Sequence, residues 1–193
     1  MAAALTHGDS AERVLIGRVA NASLTPEDAD SRALLSALDE LQAVPLTTVG
    51  EPHGLHGLDA IAQMLEAKTA STVMLLDTGN HALLVAKTVQ GSQTVYRFYE
   101  PNFAIYGFAR VEQLKEGVQR YLSRDSAAMA RLYGLAEGDR ARFNVVELDT
   151  TAIMGRTLLS NTPLGSFLQN APIVEPGSAS VWEKHAVGRQ RSL

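Results

Sequence analysis

The chain has 193 residues, 46% hydrophobic and 20% charged, the proportions of a folded globular protein with one sizeable core. A formal charge of −4 and a pI near 5.7 lack the basic footprint of a general nucleic-acid binder. The absence of cysteine excludes disulfides, thiolate metal sites and a thiol nucleophile within these residues.

The opening MAAALTHGD has neither the basic nor the long apolar region of a signal peptide. No apolar run approaches the ~18 residues that a membrane span needs, so no transmembrane segment is expected. Leu5, Val14, Leu15 and Val19 predict a helix over residues 2–20, broken at His7-Gly8-Asp9-Ser10, with Ser10 capping the restart. Pro26-Glu27-Asp28 starts a second helix, which Leu34, Leu35, Leu38 and Leu41 carry to about Gln42. Pro45, Gly50, Pro52, Gly54 and Gly57 make residues 43–57 a loop, and a third helix runs from Leu58 to Lys68.

The pattern turns to strands after Thr69. Strands are predicted over Ser71–Leu76, His81–Val89, Thr94–Tyr99 and Ala104–Arg110, joined by short turns as an antiparallel meander. Helices are predicted at Val111–Ser123 and Ala127–Tyr133, and a last strand at Arg142–Leu148. Residues 1–149 therefore form the domain, and 150–193 a peripheral arm or partly disordered tail with a basic end at Lys184, His185, Arg189 and Arg191.

The stretch Gly79-Asn80-His81-Ala82, followed by Tyr96-Arg97-Phe98-Tyr99-Glu100-Pro101-Asn102-Phe103, carries the chemistry. A histidine opens one strand and an acid closes its neighbour, so an antiparallel hairpin makes His81 and Glu100 neighbours. A carboxylate that holds an imidazole in one tautomer lets it serve as a general base. The structural alternative is a satisfied polar pair at the end of a sheet.

These motifs resemble those of the YopT/AvrPphB-type papain-fold cysteine peptidases, found as bacterial effectors and within large toxins. There a His opens a strand and an aromatic strand ends in Asp-Pro-Asn; the helix starting at Gly57-Leu58-Asp59 and the one after the aromatic strand fit as well. The resemblance implies an α/β, papain-like fold: N-terminal helices, an antiparallel sheet, then C-terminal helices. It implies His81 as general base, Glu100 in the place of the orienting Asp, and Asn102 as the last residue of the motif. Glu adds one methylene, enough to shift the carboxylate by about an ångström, a displacement that can cost about a hundredfold in rate.

The family's nucleophile is a Cys at the start of the first core helix. Met1–His7 resembles the far end of that helix, so the catalytic position falls upstream of Met1. Two readings stay open: a fragment that begins beyond its Cys, or a natural pseudoenzyme. The resemblance further implies a host protein or the parent chain itself as substrate, hence autoprocessing, and delivery into a host cell cytosol. It implies no cofactor and no metal. The competing class is a catalytically dead binding module that holds a polypeptide in the same cleft.

Met74-Leu75-Leu76-Asp77-Thr78-Gly79, with Ile153-Met154-Gly155-Arg156, matches the text of retroviral-type aspartic proteases, in which two Asp share a proton across a dimer. The plain alternative is a hairpin turn at Asp77-Thr78-Gly79. His53 and His56 are spaced to begin a zinc site, without an evident third ligand. Gly50–Gly57 lacks the ending of a phosphate loop, and Ser126 and Ser160 lack a nucleophile-elbow context. Trp182, the single tryptophan, is an anchor for the tail or an exposed aromatic.

Overall fold

A computed structural model describes residues 1–42, 48–137, 140–158 and 162–169. The tail beyond 169, with Trp182 and the basic end, lies outside the described residues, as does Ser160. The helices are α1 (Ala2–His7), α2 (Asp9–Leu24), α3 (Ala29–Gln42), α4 (Leu58–Ala67), α5 (Val111–Leu122), α6 (Arg124–Leu132) and α7 (Thr150–Gly155). The strands are β1 (Gly50–His56), β2 (Thr72–Asp77), β3 (Ala82–Gln90), β4 (Gln93–Glu100), β5 (Ala104–Phe108) and β6 (Phe143–Leu148). A 3-10 helix spans Leu164–Leu168. This is the α/β class expected, with helices before and after an antiparallel sheet.

The sheet has six strands in the order β1-β6-β2-β3-β4-β5, and every neighbouring pair is antiparallel. The middle strands read as nearly unbroken apolar runs because helices cover both faces. Side chains alternate between those faces with period two. Met74, Leu76, Leu83, Val85, Phe143 and Val145 enter one core with Ile61 and Leu65 of α4 and Leu114 and Val118 of α5. Val73, Leu75, Leu84, Ala86, Val146 and Leu148 enter the other, against Ala2 and Leu5 of α1 and Ile153 of α7.

One expectation is corrected. Residues 50–56, read as loop, form β1, an edge strand of the sheet. Its Pro52 and glycines hid it, and a register shift between Pro52 and Gly54 absorbs them against β6. The meander expected holds for β2 to β5, and the last strand, β6, lies outside it. It inserts between β1 and β2. Residues 43–47 of the expected loop lie outside the described residues.

A buried cation ties α2 to the sheet. Arg97 of β4 pairs with Asp9 and Glu12 at the start of α2, at 3.0 Å for Glu12, and donates to the Thr88 hydroxyl at 2.9 Å. Leu158 and Phe167, from the segment expected as an arm, are buried with Ala22 of α2 and Leu34 and Ala37 of α3.

Candidate active site

His81 and Glu100 meet at one end of the sheet, as the hairpin geometry predicts. Their neighbours in the strands are registered Leu84 against Tyr99, with β3 and β4 joined at Gly91, whose φ of 59° suits a residue without a side chain. His81 stands just before β3, in the turn that follows β2. Asp77 Oδ1 accepts the Gly79 N–H at 2.9 Å, the Thr78 N–H donates to the His81 carbonyl at 3.0 Å, and the His81 N–H donates to the Thr78 hydroxyl at 3.1 Å. Asn80 Nδ2 ties this turn to the end of α6 by donating to the Leu132 carbonyl at 3.1 Å.

The pair itself is short. His81 Nε2 lies 2.6 Å from Glu100 Oε1, with the His81 side chain 18% exposed and that of Glu100 0%. The additional methylene of Glu relative to Asp therefore leaves the contact intact. The carboxylate is satisfied on every side: Oε2 accepts the Asn102 N–H at 2.8 Å, and Oε1 also receives the Asn102 amide at 3.3 Å and the Tyr133 hydroxyl at 2.9 Å. A buried carboxylate held in this way is a fixed acceptor. It directs Nε2–H inward and leaves Nδ1 as the outer atom of the ring. Among the described residues Nδ1 has no hydrogen-bond partner.

Two residues that the sequence did not reveal complete the site. The ring of Tyr133 stacks on His81 at 4.2 Å with planes 9° apart. Behind it, the hydroxyls of Tyr121 and Tyr133 are 2.9 Å apart. Burial, then the bond it donates to Glu100, raises the Tyr133 phenol far above its ordinary 10. Tyr133 therefore stays protonated and remains a donor. Burial likewise raises Tyr121. Two exposed apolar side chains adjoin these residues in sequence: Phe103 after Asn102, its ring 6.0 Å from that of Tyr121, and Leu132 before Tyr133.

The remaining sequence candidates have other roles. Asp77 closes β2 and holds the hairpin turn, and the mixed helix-and-sheet fold is not the nearly all-β architecture that the aspartic protease reading requires. His53 and His56 do not converge: His53 Nε2 contacts Glu147 Oε2 at 3.1 Å, whereas His56 Nε2 lies 3.0 Å from the His53 carbonyl. Glu51, His53 and Glu147 do bring three possible ligand atoms together. The oxygens of Glu147 are already taken, by Lys68 Nζ at 2.6 Å and the Thr72 hydroxyl at 2.9 Å. No helix among the described residues is long and apolar enough to cross a membrane.

Comparisons with known proteins bear on the family and the fold. Residues 1–171 match the model of the Mcf1 protease effector domain family. Over 91 residues, 46% of this chain, the sequence is 34% identical to the multifunctional-autoprocessing repeats-in-toxin protein of Vibrio vulnificus, and it spans 2% of that protein's length. The fold is similar to that of PatoxP, a cysteine protease-like domain of the Photorhabdus asymbiotica toxin PaTox. The TM-score is 0.54 at 15% identity, covering 87% of this chain and 55% of that one.

Proposed function

The chain belongs to the Mcf1 protease effector domain family, and from that premise we propose that it carries the acid–base half of a cysteine-peptidase site. His81 is the proton relay, acting through Nδ1. Glu100 orients it through Nε2, and Asn102 holds Glu100. The observation that carries this reading is the 2.6 Å contact between a buried carboxylate and an imidazole whose other nitrogen has no partner among the described residues. The thiol is not among these 193 residues. In the complete site the thiol gives its proton to His81 Nδ1, and the thiolate attacks a peptide carbonyl carbon. The C–N bond then breaks as the leaving amine takes the proton from Nδ1, and water hydrolyses the thioester.

The placement of α1 supports a thiol supplied on its N-terminal side. Its last turn faces the far end of β3, where the Thr88 hydroxyl donates to the Leu5 carbonyl and Gln90 Nε2 to the His7 carbonyl. The residue capping its start, Met1, packs in the cluster with Leu84, Tyr99 and Ile105. From Leu84 back to His81 is about 10 Å of strand at ~3.3 Å per residue. At ~1.5 Å per residue, about seven further helical residues ahead of Met1 cover that distance. The substrate is a polypeptide, of the host or of the parent chain, met after delivery of the toxin into a host cell.

The test is the reading frame upstream of the Met1 codon and the protein it encodes. A chain extended to include a Cys is expected to cleave polypeptide in a thiol-dependent manner, and His81→Ala is expected to lower that cleavage by at least about a hundredfold, the typical worth of a general base. An upstream segment without Cys, or an extended chain without thiol-dependent cleavage, rejects the peptidase reading. The second reading, a polypeptide-binding module, then stands on the exposed Phe103 and Leu132 next to the pair.

A further inference from the structure

We propose that Tyr133 is a positioning residue for His81, setting both the plane of its ring and the readiness with which it gives up a proton. This rests on the reading of His81 as proton relay. Each phenol has one O–H to give. Tyr133 lies 2.9 Å from Glu100 Oε1, a carboxylate oxygen that accepts only. Its hydrogen is therefore committed to Glu100, and in the 2.9 Å contact between the two hydroxyls Tyr121 must be the donor. The result is a directed chain, Tyr121 to Tyr133 to Glu100, which meets His81 Nε2–H at the same carboxylate oxygen from the other side.

The Tyr133 hydroxyl on Glu100 Oε1 takes a share of the negative charge that His81 and the two Asn102 donors also offset. When His81 is protonated, that charge is already compensated. When His81 is neutral, the carboxylate is left uncompensated in a wholly buried position, and the Tyr133 hydroxyl matters more. The hydroxyl therefore stabilises the neutral imidazole relative to the charged one, favouring the form that can accept a proton. The stacked ring, 9° from parallel at 4.2 Å, adds a steric limit on rotation of the imidazole. The other titratable groups around the pair are Tyr99, raised by burial and then by the charge of Glu100, and Tyr106 and Arg124, which act on Tyr121.

The experiment is NMR titration of His81 in the full chain, its signals assigned by their loss in His81→Gln. In Tyr133→Phe, which keeps the stack and removes the hydroxyl, His81 is expected to bind its proton about threefold to tenfold more tightly, the worth of one net hydrogen bond. In Tyr121→Phe the change is expected to have the same sign and be smaller. In Tyr133→Leu, which removes the stack, the ¹⁵N shifts of His81 are expected to move from one tautomer toward a mixture. A titration of Tyr133→Phe that is unchanged, or that moves to lower pH, in a protein with native amide dispersion overturns the proposal. If Tyr133→Phe does not fold, Tyr121→Phe decides by the same criterion. The titration needs no cleavage. Its failure removes Tyr133 from the site and leaves the peptidase reading standing, whereas failure of the extended chain to cleave leaves the titration result intact.

Discussion

Glu100 is the residue on which the site turns, because it is wholly buried and accepts from His81, Tyr133 and Asn102 together. Its removal differs from loss of an ordinary surface acid. Glu100→Ala leaves buried donors without an acceptor and opens a cavity, and it is expected to destabilise the fold by about 2–4 kcal/mol. The midpoint of urea unfolding measures this. Glu100→Gln preserves the volume but replaces one acceptor oxygen by a donor that faces donors, and its cost is expected to fall below that of Ala. The pair was legible in the sequence because a short hairpin leaves little freedom in what faces what. Tyr121 and Tyr133 were not, since the first sits on α5 and the second just past the end of α6, and the docking of those helices onto the sheet is set by packing rather than by local pattern.

At the scale of elements, one glycine opposes the usual rule of helix propensity. Gly117 lies inside α5, where Gly→Ala ordinarily stabilises by about 1 kcal/mol. Here a Cβ would stand 2.5 Å from the ring of Phe108 on β5, closer than the two atoms can approach. Gly117→Ala is therefore expected to lower stability, as read by thermal unfolding, and Phe108→Leu in the same chain to recover part of the loss. A similar contact explains why β1 was not legible. Its first residue, Gly50, lets the backbone of Glu147 approach to 2.2 Å of where a Cβ would be. Gly, Pro and Gly in seven residues carry no strand signal, and what makes the segment a strand is the pairing that β6 offers it. The strands with continuous apolar character, β2 and β3, were legible because both of their faces are buried.

For the whole molecule, the junction of β1, β6 and the end of α4 sets a dependence on pH. Burial works to raise Glu147, but hydrogen bonds from Lys68, Thr72 and His53 outweigh it and hold the carboxyl below its ordinary 4.5. A carboxyl lowered in the folded state contributes stability that is present above its unfolded value and is lost as the pH falls through the folded one. Unfolding midpoints are accordingly expected to decline as the solution is acidified below about pH 5, and Glu147→Gln is expected to flatten that decline while lowering stability at neutral pH. The same junction shows how far the sequence could be read as architecture. The fold class and the last strand were legible, but the position of that strand was not, because a place in a sheet order depends on partners remote along the chain.

That position governs how the chain comes together in time. β6 fills a slot between β1 and β2, two strands made long before it, so neither can take its final neighbour until Phe143–Leu148 has been synthesised. Until then the Leu-rich edge of β2 is an open template for another chain. The closing of the loop from Asp77 to Phe143 is a long-range event whose entropy must be spent before any contact rewards it. The domain is thus expected to fold late and in one step, and a chain stopped short of Leu148 to aggregate rather than fold in part.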